Sequence, residues 1–102
     1  MNREKIKKFV NNITVGDNVK LTSDRVNIIG RVRNIFVNDN MRYEINIDGF
    51  KYQTNTKGEV TKVKEFCKDV QLLYLYDKFE ILNNDLEDVT DSIKEQADEV
   101  IN

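Results

Sequence analysis

Residues 26–37 read VNIIGRVRNIFV. The run is long enough, and rich enough in β-branched side chains, to be a strand. Its apolar positions do not keep one parity. Ile28 and Val32 share a side with Gly30, whereas Ile35 and Val37 take the other. Successive side chains of an extended chain point to opposite faces, so a flat strand cannot bury both sets on one side. The strand has to bend or bulge, and Gly30 is where a bend meets least side-chain obstruction. A strand of this kind turns the corner of a small closed barrel.

The neighbouring segments point the same way. Ile6, Phe9, Val10 and Ile13 fall at helical spacing, so residues 2–12 are expected to form a short helix with Asn2 as its N-cap and Asn11 and Asn12 near its end. Val15-Gly16-Asp17-Asn18 is a turn signal, and Val19 and Leu21 then alternate with polar residues as in a half-buried strand. Thr22 to Arg25 reads as loop. Asn38-Asp39-Asn40 suits a three-residue connection that would set Val37 opposite Met41. Met41, Tyr43, Ile45 and Ile47 alternate cleanly with polar residues up to Asp48-Gly49, a type I′ hairpin signal. That hairpin would pair Ile47 with Phe50, Ile45 with Tyr52 and Tyr43 with Thr54, all on one face.

Lys57-Gly58 marks a further turn. Residues 59–68 fit a helix or an extended strand. Residues 70–82, VQLLYLYDKFEIL, are apolar on both parities, as in a strand covered from both sides. From Asn84 to Ile101 the pattern is that of a helix. Asn84 and Glu87 form a capping box, Asp85, Glu87 and Asp88 suit the positive end of the helix dipole, and Leu86, Val89, Ile93, Ala97 and Val100 make a narrow stripe. Such a stripe packs on a body or on a copy of itself, so a homodimer through this helix is one expectation.

The expected fold is therefore a single α+β domain over residues 1–102. It comprises a helix at 2–12, an antiparallel β-barrel of about five to six strands at 15–82 and an acidic amphipathic helix at 84–101. VGDNVKL followed by IIGRVRNI resembles the first two strands of SH3-like small barrels, with a turn aspartate, an alternating Val-x-Leu strand and a glycine-bent second strand. The likeness spans roughly residues 15 to 66 and brings no binding motif with it. It implies a module that binds nucleic acid, peptides or other subunits rather than an enzyme.

Composition removes several chemistries. The 102 residues contain no histidine and one cysteine, Cys67. Cys–His pairs, histidine triads and the common zinc sites are thus unavailable, and no internal disulfide can form. Cys67 reads as a small half-buried apolar residue in a reducing, cytoplasmic setting. The glycines at 16, 30, 49 and 58 are too scattered to cradle a phosphate. The calcium-loop-like run beginning at Asp85 lacks the required glycine and places Val89 at a ligand position. No catalytic site, metal or cofactor is expected. No apolar run is long enough for a membrane span, and MNREKIKKFV has no apolar core for a signal peptide.

The net charge of −2 hides two opposite halves. Residues 1–68 carry 14 Lys/Arg and 8 Asp/Glu, a balance of +6, and residues 69–102 carry 2 and 10, a balance of −8. A solvated surface whose halves attract each other would account for this. So would a basic surface for a polyanion, modulated by an acidic tail. In the second reading Arg31, Arg33, Lys51, Lys62 and Lys64, followed by Lys68, face outward and contact nucleic-acid phosphates. Tyr43, Phe50 and Tyr52 share the core parity, out of reach of bases. The other function class is a protein–protein or inhibitor module, of a size that suits a phage or mobile element. It would act through the acidic helix at Asp88, Asp91, Glu95 and Asp98.

Overall fold

The structure is a computed structural model, described here for residues 2–72 and 76–82. Helix α1 spans Asn2–Asn12, and five strands follow: β1 Asn18–Ser23, β2 Val26–Val37, β3 Tyr43–Thr54, β4 Val60–Gln71 and β5 Lys78–Ile81. All pair antiparallel in one sheet of order β4-β3-β2-β1-β5. The first four strands form a meander, and β5 returns to the free side of β1. Among the described residues β4 and β5 share no ladder, so the sheet is open and the closed barrel expected from the sequence is not formed by them. The C-terminal helix expected at 84–101 lies outside the described residues, as does part of the apolar run at 73–75.

Helix α1 presents the face its spacing predicts. Ile6, Phe9 and Ile13 are buried and Val10 packs beside them. They meet Val19, Leu21, Ile28, Val32, Ile45, Ile47, Val70 and Leu72 from the sheet. Burying several such side chains, at roughly 1.5–3 kcal/mol each, is the main favourable term here. The turn from helix to sheet is closed by Asp17, whose Oδ2 accepts from the Thr14 N–H at 2.9 Å. Gly16 takes φ +102° there, and its N–H donates to the Val32 carbonyl at 2.8 Å.

The parity switch in β2 is resolved by a bulge. Val32 pairs with Ile47 and Asn34 with Asn46, so Arg33 is the extra residue. The bulge keeps both Val32 and Ile35 on the helix face. The bend was expected at Gly30, but that glycine has another task. Gly30 lies opposite Gly49, and a Cβ on Gly30 would stand 2.5 Å from the Asp48 carbonyl oxygen. A Cβ on Gly49 would fall on the Ile29 carbonyl. The two backbones approach too closely for side chains.

Gly49 therefore does not turn the chain. Asp48 and Gly49 lie inside β3, which continues to Thr54, and the expected Asp48-Gly49 hairpin is absent. Its predicted one-face pairing fails with it. Ile45 and Ile47 join the helix-side core, whereas Tyr52 is buried in a second cluster with Ile29 and Val60, flanked by Phe50, Val63 and Leu82. The tight turn lies elsewhere, at Asp24-Arg25, where Ser23 pairs with Val26 and Asp24 takes φ +54°. The β2–β3 connection is also longer than expected. Val37 pairs with Tyr43, and Met41 sits in the loop, 83% exposed, at φ +60°. Residues 59–68, which the pattern leaves open between helix and strand, are extended from Val60 onward and belong to strand β4.

Candidate functional site

The register decides which charges share a face, because paired residues point the same way and neighbours along a strand alternate. Lys51 pairs with Lys64 and Gln53 with Lys62, while Ile47 pairs with Lys68 and Gly49 with Phe66. Lys51, Lys62, Lys64 and Lys68 therefore lie on one face of the β3–β4 margin, the face that carries α1 further along. Lys62, Lys64 and Lys68 are exposed, and Lys51 and Phe66 are half-buried.

The same strand turns Val63, Glu65, Cys67, Asp69 and Gln71 to the opposite face. Strand β4 thus sorts its charge by parity, lysines to one side and carboxylates to the other. Lys51 and Lys64 stand directly opposite each other, with Cβ atoms about 5 Å apart in such a pair, an arrangement that disfavours folding slightly. Among the described residues neither has a carboxylate within salt-bridge distance.

Arg31 and Arg33 are placed differently. Arg31 pairs with Asp48, which in turn pairs with Cys67, so Arg31 lies on the face opposite Lys51, Lys62 and Lys64. Arg33, the bulged residue, donates from Nη2 to Asp48 Oδ2 at 3.2 Å. Both partners are about half exposed (54% and 46%), which limits the bridge to under about 1 kcal/mol. Of the five basic residues expected to form one site, Lys51, Lys62 and Lys64 come together. Arg31 and Arg33 do not join them. Asp88, Asp91, Glu95 and Asp98 lie outside the described residues.

Sequence reasoning overlooked Arg25 and Lys57. They sit in the Asp24-Arg25 turn and the Asn55–Glu59 turn, at the same end of the sheet as Lys62. The Arg25 carbonyl accepts from the Thr54 N–H at 2.9 Å, which ties one turn to the other strand end. Only the register shows this proximity. Cys67 is exposed rather than half-buried. Tyr52 is buried beneath Lys20, whose Nζ stands 6.0 Å from the ring centroid. Tyr43 and Phe50 are half-buried on opposite faces.

A concave feature of a different kind from the flat lysine face lies between α1 and β5. It is a groove of about 300 Å³ lined by Lys5, Lys8, Phe9, Asn12, Phe79 and Ile81. Its floor is the tilted Phe9–Phe79 pair, with centroids 5.1 Å apart. Among the described residues no helix is long and apolar enough to cross a membrane. None of the family models, curated proteins or solved structures compared with the chain matches it significantly.

Proposed function

We propose that this chain is a non-catalytic binding module whose lysine face, Lys51, Lys62, Lys64 and Lys68, contacts the phosphates of a nucleic acid. One observation carries the reading: Lys51 stands opposite Lys64 with no carboxylate on that face of either strand. A like-charge pair works against folding, so its presence is better explained by a ligand that neutralises it. Phosphate oxygens do so, and each neutralised phosphate releases condensed counterions. Few aromatic side chains are free to stack on bases, which favours contact with the backbone over readout of sequence. The fold reading that accompanies this is an SH3-like arrangement, a meander with β5 returning beside β1, opened along the β4 edge.

The acidic segment at Asp88, Asp91, Glu95 and Asp98 is proposed to compete with phosphate for the lysine face. The opposite signs of the two halves of the chain support this role.

The test is a titration of the full chain against fluorescent double- and single-stranded DNA and RNA at low and physiological salt. Binding should fall with salt, and replacing Lys51, Lys62 and Lys64 by glutamine should reduce both affinity and salt slope. Arg31→Gln, on the other face, should change little. Neutralising the four acidic residues should tighten binding. A triple lysine variant that binds as the parent does would refute the reading.

A further inference from the structure

Strand β4 is the longest open edge in the described structure. It runs from Val60 to Gln71, pairs among the described residues only with β3, and departs from regular pairing only near Thr61. Its outer side offers a row of backbone donors and acceptors to any strand that matches it. Such an edge is a hazard unless something restricts what can add to it.

Its charge pattern supplies the restriction. A second copy of β4 could add antiparallel about a twofold axis perpendicular to the sheet, with one residue at the centre. Centred on Lys62, Lys64 or Lys68, a lysine meets the same lysine of the other copy. Centred on Val63, Lys62 meets Lys64. Centred on Glu65, Lys62 meets Lys68, and centred on Phe66, Lys64 meets Lys68. Centred on Cys67, Glu65 meets Asp69. Centred on Asp69, Asp69 meets itself, so every register centred from Lys62 to Asp69 opposes like charges, which is unfavourable at each such pair; only registers centred on Val70 or Gln71, at the end of the strand, escape it.

The same pattern defines what does fit. We infer that the β4 edge receives an extended segment of another polypeptide, by strand addition. That segment presents acidic residues to Lys62, Lys64 and Lys68, basic residues to Glu65 and Asp69, and apolar residues to Phe66 and Val70. Backbone hydrogen bonds supply the affinity, and the parity-sorted charges supply the choice of partner and register. This goes beyond the phosphate reading. It uses the strand's backbone and both of its faces, whereas a phosphate chain offers no donors to the edge carbonyls and repels the face that carries Glu65 and Asp69.

The experiment uses the full chain and a synthetic antiparallel complement, Val-Lys-Glu-Val-Leu-Lys-Glu-Val-Glu, with its charge-swapped version, Val-Glu-Lys-Val-Leu-Glu-Lys-Val-Lys, as control. Amide hydrogen exchange along β4 and a binding titration are read together. The complement should slow exchange at alternate β4 amides and bind at least about tenfold tighter than the swapped peptide. A chain carrying Lys62→Glu, Lys64→Glu, Lys68→Glu, Glu65→Lys and Asp69→Lys should reverse that preference. If this variant does not fold, the comparison of the two peptides on the parent chain decides alone. Equal binding of both peptides, binding without β4 protection, or no binding overturns the inference. So does sedimentation showing that copies of the chain already occupy the edge. Loss of nucleic-acid binding in the titration above would leave the peptide result untouched, so the two readings fail separately.

Discussion

Gly30 and Gly49 lie directly opposite each other in the β2–β3 ladder, where neither backbone leaves room for a side chain on the other. Gly49→Ala would drive a methyl group into the Ile29 carbonyl, a backbone atom that cannot rotate away. The expected cost is about 2–3 kcal/mol, read as a lower urea midpoint with an unchanged slope. Asp48→Asn, which removes only the half-exposed partner of Arg33, should cost under about 1 kcal/mol. A Gly49→Ala chain as stable as the parent would show that the close approach does not exist.

Asn55 holds the β3–β4 turn by itself. Its Oδ1 accepts from the Lys57 N–H at 2.9 Å and the Glu59 N–H at 3.0 Å, while its main chain bonds both Gly58 and Glu59. Asn55→Ala leaves two donors to water and should cost about 1–2 kcal/mol in thermal or urea unfolding. Glu59→Ala removes only the exposed Asn55 Nδ2 contact and serves as the mild comparison.

Met41 adopts a left-handed backbone with its side chain in solvent. A left-handed conformation costs a residue of this kind roughly 1–2 kcal/mol, and asparagine much less. Met41→Asn should therefore raise stability by about 0.5–1 kcal/mol, seen as a higher midpoint. A fall in stability would place strain relief elsewhere.

Tyr76 packs against Phe79 in the helix-side core, and burial pushes its phenol above the ordinary 10.0. The folded protein then holds this proton more tightly than the unfolded chain. Its contribution is complete below pH 10 and is lost as pH rises through the folded value. The parent should therefore lose stability above about pH 10 more steeply than Tyr76→Phe, which has no proton to release. Parallel pH profiles for the two would contradict the assignment.

Patterns that depend only on local spacing were legible in the sequence. The buried face of α1 followed from Ile6, Phe9 and Ile13, and the need for a break in β2 followed from the mismatch between Val32 and Ile35. Its location did not, because a bulge at Arg33 and a bend at Gly30 reconcile the same parities. Asp48-Gly49 misled for a related reason. Glycine serves a turn and a close backbone approach equally well, and only the partner strand distinguishes them. Asp24-Arg25 turns the chain without a glycine, so it carried no strong signal. The basic residues were identified as a group, but their division between two faces depends on register. A one-residue offset moves Lys51 from one side to the other.

The contacts of Asp77 bear on the order in which the fold assembles. Its Oδ2 accepts from the Asp24 N–H, its N–H donates to the Thr22 carbonyl, and its carbonyl accepts from Lys5 Nζ. These contacts span 53 residues to Asp24 and 72 to Lys5, whereas each hairpin of the meander closes locally. Loop closure over such separations is slow to repay its entropy, so the meander can form while α1 and the segment leading into β5 are still unjoined. Asp77 is then a late latch. Its three bonds tie the entry to β5 to the β1–β2 turn and to α1, so the strand that carries Phe79 is held in place by partners far away in sequence.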